Sequence, residues 1–225
     1  MTIPQMPRRT KSDLDGLLSS LIKSGVIDDQ NFPVLRQLST HEWEVSFVGA
    51  DHISIAMGDI AYEEIHHELA AKRSYNAKLI DSGLLQLSYR FQDDRLTNHR
   101  LAYYPSPSLR PFRDDPDSYM SDERFLDIVS RRMVPFPIRF DYDTAAAQEI
   151  DHPHCHLTLG DVQGCRIPVS APLSPRWFIE FVLRNFYKTD RYDLVGCLPD
   201  HRPGSHFKST ITPKETRLIH MVIPA

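Results

Sequence analysis

The sequence of 225 residues has no apolar run long enough to cross a membrane. Its longest runs, such as residues 145–147 and 221–223, are far shorter than the roughly 20 apolar residues that a bilayer requires. No apolar segment of the secretory type follows the charged start, MTIPQMPRRTKSD. Cysteine is also scarce. The three cysteines, Cys155, Cys165 and Cys197, show no CxxC spacing and cannot form a closed disulfide framework. These absences predict a protein of the reducing cytoplasm without membrane contact.

A dominant charge of one sign is missing too. The formal net charge is −4, with 26 Lys and Arg against 30 Asp and Glu, which excludes a uniformly basic nucleic-acid-binding coat. Residues 151–225 differ from the rest, because they hold nine basic residues against seven acidic ones and six of the eleven histidines. This C-terminal third can therefore form a local anion-binding surface.

The common nucleotide-hydrolase and hydrolase motifs are absent as well. We find no P-loop, GxGxxG, GxSxG or paired-cysteine zinc pattern, so a standard nucleotide-hydrolysing fold has no support. The contents of hydrophobic residues, 41%, and charged residues, 25%, are those of an ordinary globular protein, which excludes global disorder.

The hydrophobic periodicity predicts one α+β domain over residues 12–225, after a flexible lead over 1–11. We expect a mostly antiparallel, curved sheet packed by three to four helices. Predicted helices cover residues 12–25, 60–73, 121–132 and 174–188. Predicted strands cover residues 43–48, 53–57, 84–91, 96–104, 138–143, 154–159, 165–169 and 217–223. A Pro- and Asp-rich loop over 105–118 has the length of a functional loop or lid.

The string EEIHHE in the second helix does not predict a metal site. His66 and His67 point about 100° apart on a helix, so they cannot easily share an ion. We expect this face of the helix to be solvated.

The densest polar cluster lies between residues 139 and 166. Alternation along a strand over 138–143 places Arg139, Asp141 and Asp143 on one face. The next strand carries His154 and His156 on one face, and His152 has the same parity. Neutral imidazole accepts a proton near pH 7 and imidazolium donates one, so a pair suffices for acid–base work on a phosphodiester.

Arginines and carboxylates complete the predicted site. Arg166 begins a strand antiparallel to the histidine strand, where its guanidinium can hold two phosphate oxygens. We also nominate Arg139 and Arg184 as phosphate-binding residues. Asp141 or Asp151 is expected to orient an imidazole. His152 and His156 are the expected acid and base, with His154 as a further catalytic candidate, and this chemistry requires no cofactor.

Four other interpretations remain open. His154 and His156, with Asp141, Asp143 or Asp151, could hold a divalent metal ion. The segment over 152–158 resembles the histidine-triad pattern of nucleotidyl transfer, although proline occupies a slot usually filled by an aliphatic residue. The histidines could also serve only the fold. Finally, the chain could be a non-catalytic subunit that binds a larger partner through residues 14–22 and 105–118.

Four blocks of the C-terminal third resemble a known bacterial family. They are residues 139–143, residues 151–160, residues 165–169 and the aromatic helix over 175–187. Their order and spacing resemble the family called domain of unknown function 2290. The resemblance implies a bacterial protein and brings no activity with it. Small bacterial families of this kind often accompany large ATPases or nucleases in antiviral defence or toxin–antitoxin clusters. We therefore expect a defence-type protein acting on nucleic acid, with RNA as the expected substrate.

Overall fold

The computed structural model describes residues 3–48, 50, 60–107, 136–160, 164–188, 193–200 and 207–224. The strand predicted over 53–57 and the helix predicted over 121–132 lie outside these residues. Most of the loop over 105–118 and the loop with His201 and His206 also lie outside them.

One nine-stranded antiparallel sheet organises the described residues. Its strands are β1 (Ile27–Gln30), β2 (Val34–Gln37), β3 (Glu42–Ser46), β4 (Ala77–Leu79), β5 (Leu84–Gln92), β6 (Arg95–Tyr104), β7 (Ile138–Asp143), β8 (Cys155–Leu159) and β9 (Ile167–Pro168). Neighbouring strands follow the order β1-β4-β5-β6-β7-β8-β9. β5 also pairs with β3 beyond its pairing with β4, and β3 pairs with β2. The predicted α+β class with an antiparallel sheet is confirmed.

The β5–β6 hairpin is the longest pairing in this sheet. Leu84 lies opposite Tyr104 at one end, and Gln92 lies opposite Arg95 at the turn. Asp93 closes the turn with φ 50°, in the left-handed region that aspartate tolerates better than most residues. The predicted hairpin is confirmed, and it carries β7 and β8 along its outer edge.

Strand alternation gives the sheet one apolar and one polar face. The apolar face includes Leu85, Leu87, Tyr89, Leu101, Tyr103, Phe140 and Leu157, all in the main hydrophobic core. The opposite face carries Gln86, Ser88, Arg100, Arg139, Asp141, His156 and Thr158 along the same four strands. The polar face can therefore hold chemistry while the other face supplies the stability.

Two of the three described α-helices cover the apolar face. α1 (Gln5–Lys23) buries Leu14, Leu17, Leu18 and Leu21 in the core. α3 (Pro175–Phe186) adds Phe178, Ile179, Val182 and Leu183. Ser174 begins α3 as predicted, because its hydroxyl accepts a hydrogen bond from the Trp177 amide at 3.4 Å and Pro175 follows it.

α1 begins seven residues before the predicted Ser12, so the expectation of a flexible lead over 1–11 is wrong for its helical part. Pro7 lies in the first turn, where proline is tolerated because the first amides have no partner within the helix. Pro7 and Thr10 are buried, and the Met6 amide donates to the Asp94 carboxylate at 2.7 Å. At the other end, Gly25 has φ 73° and ends the helix as predicted.

α2 (Tyr62–Ala71) covers one end of the polar face. Ile65 and Leu69 pack there on Leu84, Ala102 and Tyr104. The expectation of a solvated face is wrong at His66, which is buried and lies 2.9 Å from the Ser82 carbonyl through Nε2. Its neighbour His67 is exposed, as predicted.

The C-terminal segment is less regular than predicted. Residues 217–223 do not form a continuous strand, and only Met221 makes a bridge, parallel to Val169 beside β9. A short 3-10 turn at Glu215–Arg217 precedes it. Within the described residues, no helix combines the length and the apolar composition needed to cross a membrane.

Candidate functional site

The candidate site is built on the paired strands β7 and β8. Asp141 lies directly opposite His156, and Arg139 lies opposite Thr158. Directly opposed residues of an antiparallel pair point to the same face, so the carboxylate and the imidazole share the polar face. The predicted alternation of β7 is confirmed, since its residues are alternately buried and half-buried.

Two of the three predicted histidines meet in the structure. The ring centroids of His152 and His156 are 4.9 Å apart, and the rings are tilted by 55°. β8 starts only at Cys155, so His152 reaches His156 from the preceding turn and not from the same strand. The expectation that His154 lies on the strand with His156 is therefore wrong, because β8 begins one residue later, although the nominated pair is in contact.

Backbone carbonyls determine which nitrogen of each ring is available. His152 Nδ1 lies 2.7 Å from the Ala146 carbonyl oxygen, and His156 Nδ1 lies 3.0 Å from that of Pro153. A carbonyl oxygen only accepts, so each Nδ1 carries the hydrogen and each Nε2 is available for proton transfer. The orienting groups are thus backbone carbonyls and not the predicted carboxylates of Asp141 or Asp151.

Burial separates the roles of the two imidazoles. His156 is only 4% exposed, and loss of solvation lowers its pKa below the ordinary value of 6.5. The hydrogen bond to Pro153 and the charge of Asp141 act in the opposite direction, but burial is the largest effect. His156 is therefore neutral at pH 7, the form that accepts a proton.

A tight turn presents His152 to its partner. The backbone groups of Gln148 and His152 hydrogen-bond to each other in both directions at 2.8 Å. Between them, Ile150 has φ 74°, a conformation that costs a β-branched residue about 1–2 kcal/mol. Such strain persists only where surrounding contacts enforce it.

Glu215 supplies one of these contacts from the C-terminal segment. It is 1% exposed, and its carboxylate accepts from the Thr212 amide at 2.8 Å and the Ile150 amide at 3.4 Å. Thr212 Oγ1 in turn accepts from the Glu215 amide at 3.3 Å, which completes a capping box. We did not nominate Glu215, although the sequence TPKE carries the capping-box pattern. Its contact with the histidine turn required the tertiary fold.

Arg166 lies beside the same turn. Its guanidinium donates to the Asp151 carbonyl oxygen at 3.2 Å, and its charge contributes to the lowered pKa of His156. Arg166 is exposed, and the residue whose carbonyl it binds directly precedes His152. The predicted proximity of Arg166 to the histidines is confirmed.

Arg100 is a site residue that the sequence analysis missed. It lies opposite Asp141 on β6, with its Nε 3.7 Å from the carboxylate. Arg139 approaches the same carboxylate at 4.0 Å. The hairpin prediction was correct, but no local pattern indicates which β6 residue faces Asp141.

His154 and Arg184 are not brought to the pair. His154 is half-buried between the two histidines in sequence and takes no part in their ring contact. Arg184 lies on α3 beyond the apolar face, where it pairs with Glu180 at 2.6 Å. The sheet therefore separates Arg184 from His156, which corrects its nomination as a phosphate-binding residue of this site.

The described residues contain no cluster of three side chains that could bind a metal ion. Within them, no three His, Cys, Asp or Glu side chains lie close enough to hold an ion. The two available Nε2 atoms supply at most a partial ligand set.

Comparison with known proteins identifies a family and no activity. No curated protein and no solved structure shows significant similarity to the chain. The profile of the uncharacterized conserved proteins DUF2290 matches residues 26–223, well beyond the C-terminal blocks that first indicated it. The chain belongs to this family, DUF2290.

Proposed function

We propose that this protein cleaves phosphodiester bonds of RNA by histidine acid–base catalysis. The observation that carries the proposal is the contact of His152 with His156 at 4.9 Å, with both Nδ1 atoms held by backbone carbonyls. Two imidazoles in contact, each with Nδ1 held by a carbonyl, can supply a base and an acid to one substrate through their Nε2 atoms.

Their environments support the assignment of roles. His156, buried and with a lowered pKa, is the base. His152, in a turn at the surface, is the acid and donates from its imidazolium form. Arg166 holds the scissile phosphate, because its exposed guanidinium lies beside the turn that carries His152.

The reaction balances with groups of the chain and the substrate alone. Nε2 of His156 takes the proton of the ribose 2′-hydroxyl while O2′ forms a bond to phosphorus. The bond from phosphorus to O5′ breaks with its electron pair on O5′, which takes the proton from Nε2 of His152. The products are a 2′,3′-cyclic phosphate and a free 5′-hydroxyl, so the same strand in DNA is not a substrate.

The test is cleavage of end-labelled tRNA and single-stranded DNA by the purified chain, with and without EDTA. The variants are His152→Asn and His156→Asn, because an asparagine amide can replace the Nδ1 donor without the titrating nitrogen. The matched control is His41→Ala, an exposed histidine paired with Asp93 beside β3, which is four strands away from β8. We expect EDTA-resistant cleavage of RNA only, reduced about 100-fold or more in either asparagine variant.

Each other outcome has a defined meaning. EDTA-sensitive cleavage would show that the reaction needs a metal ion, with the histidines as its ligands. Cleavage that survives both asparagine substitutions places the chemistry elsewhere. Folded protein that cleaves neither nucleic acid overturns the catalytic proposal and favours the non-catalytic subunit of a larger complex.

A further inference from the structure

Two arginines of the polar face share a single carboxylate. Arg100 and Arg139 approach Asp141 at 3.7 and 4.0 Å, and their side chains are 19% and 14% exposed. Among the described residues, one negative charge therefore faces two positive charges on this half-buried surface. Loss of solvation makes such an excess of like charge unfavourable unless an anion balances it.

Each of these two arginines has a hydrogen-bond donor without an acceptor among the described residues. Within the described part of the chain, the buried Nε of Arg100 and the buried Nε of Arg139 have no hydrogen-bond acceptor. A buried donor without an acceptor is unfavourable, so natural proteins rarely keep one without a reason.

A second carboxylate on the same face, Glu44, is held by its two arginines at shorter distances. Glu44 lies between Arg36 and Arg90, and their nitrogens are only 2.6 and 3.0 Å from its oxygens. Those are ordinary charge-assisted hydrogen-bond distances. Asp141 has the same two-arginine surroundings at distances too long for hydrogen bonds.

The cluster of Arg100, Arg139 and Asp141 adjoins the proposed reaction site. Asp141 is the cross-strand neighbour of His156 on one side and of Arg100 on the other. Adjacent strands are about 4.8 Å apart, so the Arg100 backbone lies about 10 Å from that of His156. An anion held by these arginines is thus a separate group from the phosphate at the histidines, yet within reach of the same extended chain.

We propose that Arg100 and Arg139 form a second phosphate-binding subsite, which takes a backbone phosphate next to the scissile one. The substrate class is then a single-stranded polynucleotide with at least two phosphates, and not a mononucleotide or a cyclic nucleotide. This inference rests on the proposed function for the position of the scissile phosphate, but its test is a binding measurement that needs no catalysis.

The probe is a fluorescein-labelled 12-nucleotide 2′-O-methyl RNA, which keeps every phosphate and cannot form the 2′,3′-cyclic product. Its affinity is measured by anisotropy in EDTA at several salt concentrations for wild type, Arg100→Gln, Arg139→Gln and the double variant. Arg8→Gln is the matched control, because this exposed arginine lies on α1, beyond the apolar face.

We expect about a tenfold loss of affinity for each arginine removed, and less than a twofold change in Arg8→Gln. The slope of log affinity against log salt should fall by about 0.7 for each phosphate that the variant no longer neutralises. A purely structural role of the arginines does not change this slope. Arg100→Lys and Arg139→Lys cover the case in which the glutamine variants fail to fold, and they should lose affinity because lysine lacks the planar fork.

Three results would overturn the subsite. They are equal losses in the Arg8→Gln control, wild-type affinity in folded double variants, and no binding of the probe by the wild-type chain. Loss of binding in the arginine variants together with normal cleavage by the histidine variants refutes the catalytic roles and leaves the subsite standing.

Discussion

Asp141 lies directly opposite His156 in the β7–β8 ladder, and its charge raises the pKa of a histidine whose burial lowers it. The pairing fixes their relative position by backbone hydrogen bonds and not by a direct side-chain contact. Asp141 can therefore tune the basicity of His156 without occupying its Nε2, which leaves that atom available to the substrate.

The first prediction concerns the pH profile of the proposed cleavage. The rate should fall on the acid side as His156 becomes protonated below its lowered pKa. Asp141→Asn removes a charge that favours the protonated form, so the pKa falls further and the acid limb of kcat/KM moves to lower pH. The measurement is kcat/KM from pH 4 to 9.

Asp28→Asn provides the control for this shift. Asp28 pairs with Lys78 at 2.6 Å at the β1–β4 end of the sheet, so the same loss of charge occurs far from the histidines. An acid limb that stays in place in Asp141→Asn would contradict the assignment of His156 as the base.

The second prediction concerns acid stability. Burial lowers the pKa of His99 from 6.5 to about 3. Between pH 3 and pH 6.5 the unfolded chain therefore binds one more proton than the folded chain. The contribution of neutral His99 to the free energy of unfolding is complete above pH 6.5 and is lost as the pH falls. His99→Gln keeps an acceptor for the Leu173 amide and removes the titration. Urea denaturation should show the wild type losing about 2 kcal/mol more than the variant between pH 7 and pH 5.

The third prediction concerns the strained turn. Glycine adopts the φ of 74° at Ile150 without steric cost, whereas alanine does not. Ile150→Gly should therefore be more stable than Ile150→Ala by about 0.5–1 kcal/mol, after the greater entropy of unfolded glycine is subtracted. Thermal unfolding of the two variants measures the difference, and the reverse order would show that the turn is relaxed.

The fourth prediction concerns α1, which the sequence left open as a partner-binding surface. Leu17 is 2% exposed in the core, so Leu17→Ala should lower the free energy of unfolding by about 2–5 kcal/mol. Ile22 on the same helix is 37% exposed, and Ile22→Ala should cost less than about 1 kcal/mol. Equal costs for both substitutions in urea denaturation would contradict the observed packing of α1.

Strands and helices with strong periodicity were predictable from the sequence, and weak ones were not. The β5–β6 hairpin alternates over many residues, and Ser174 with Pro175 marks the start of α3. β1, β2 and β4 are only three or four residues long and were missed. Such short segments carry too few apolar positions to show a period, and their pairing partners stabilise them.

The sequence by itself determined which residues share a face, because alternation is a property of the extended backbone. It thus grouped Arg139 with Asp141, and it nominated His152 and His156. Only the tertiary structure decided that these two rings meet, that Arg100 faces Asp141, and that Glu215 holds the turn at Ile150. The contact of the two rings depends on the conformation of the turn that carries His152. The contacts of Arg100 with Asp141 and of Glu215 with Ile150 depend on strand register and on the return of the C-terminal segment, and the second joins residues 65 positions apart. No local pattern encodes such long-range contacts, since they follow from how the whole core packs.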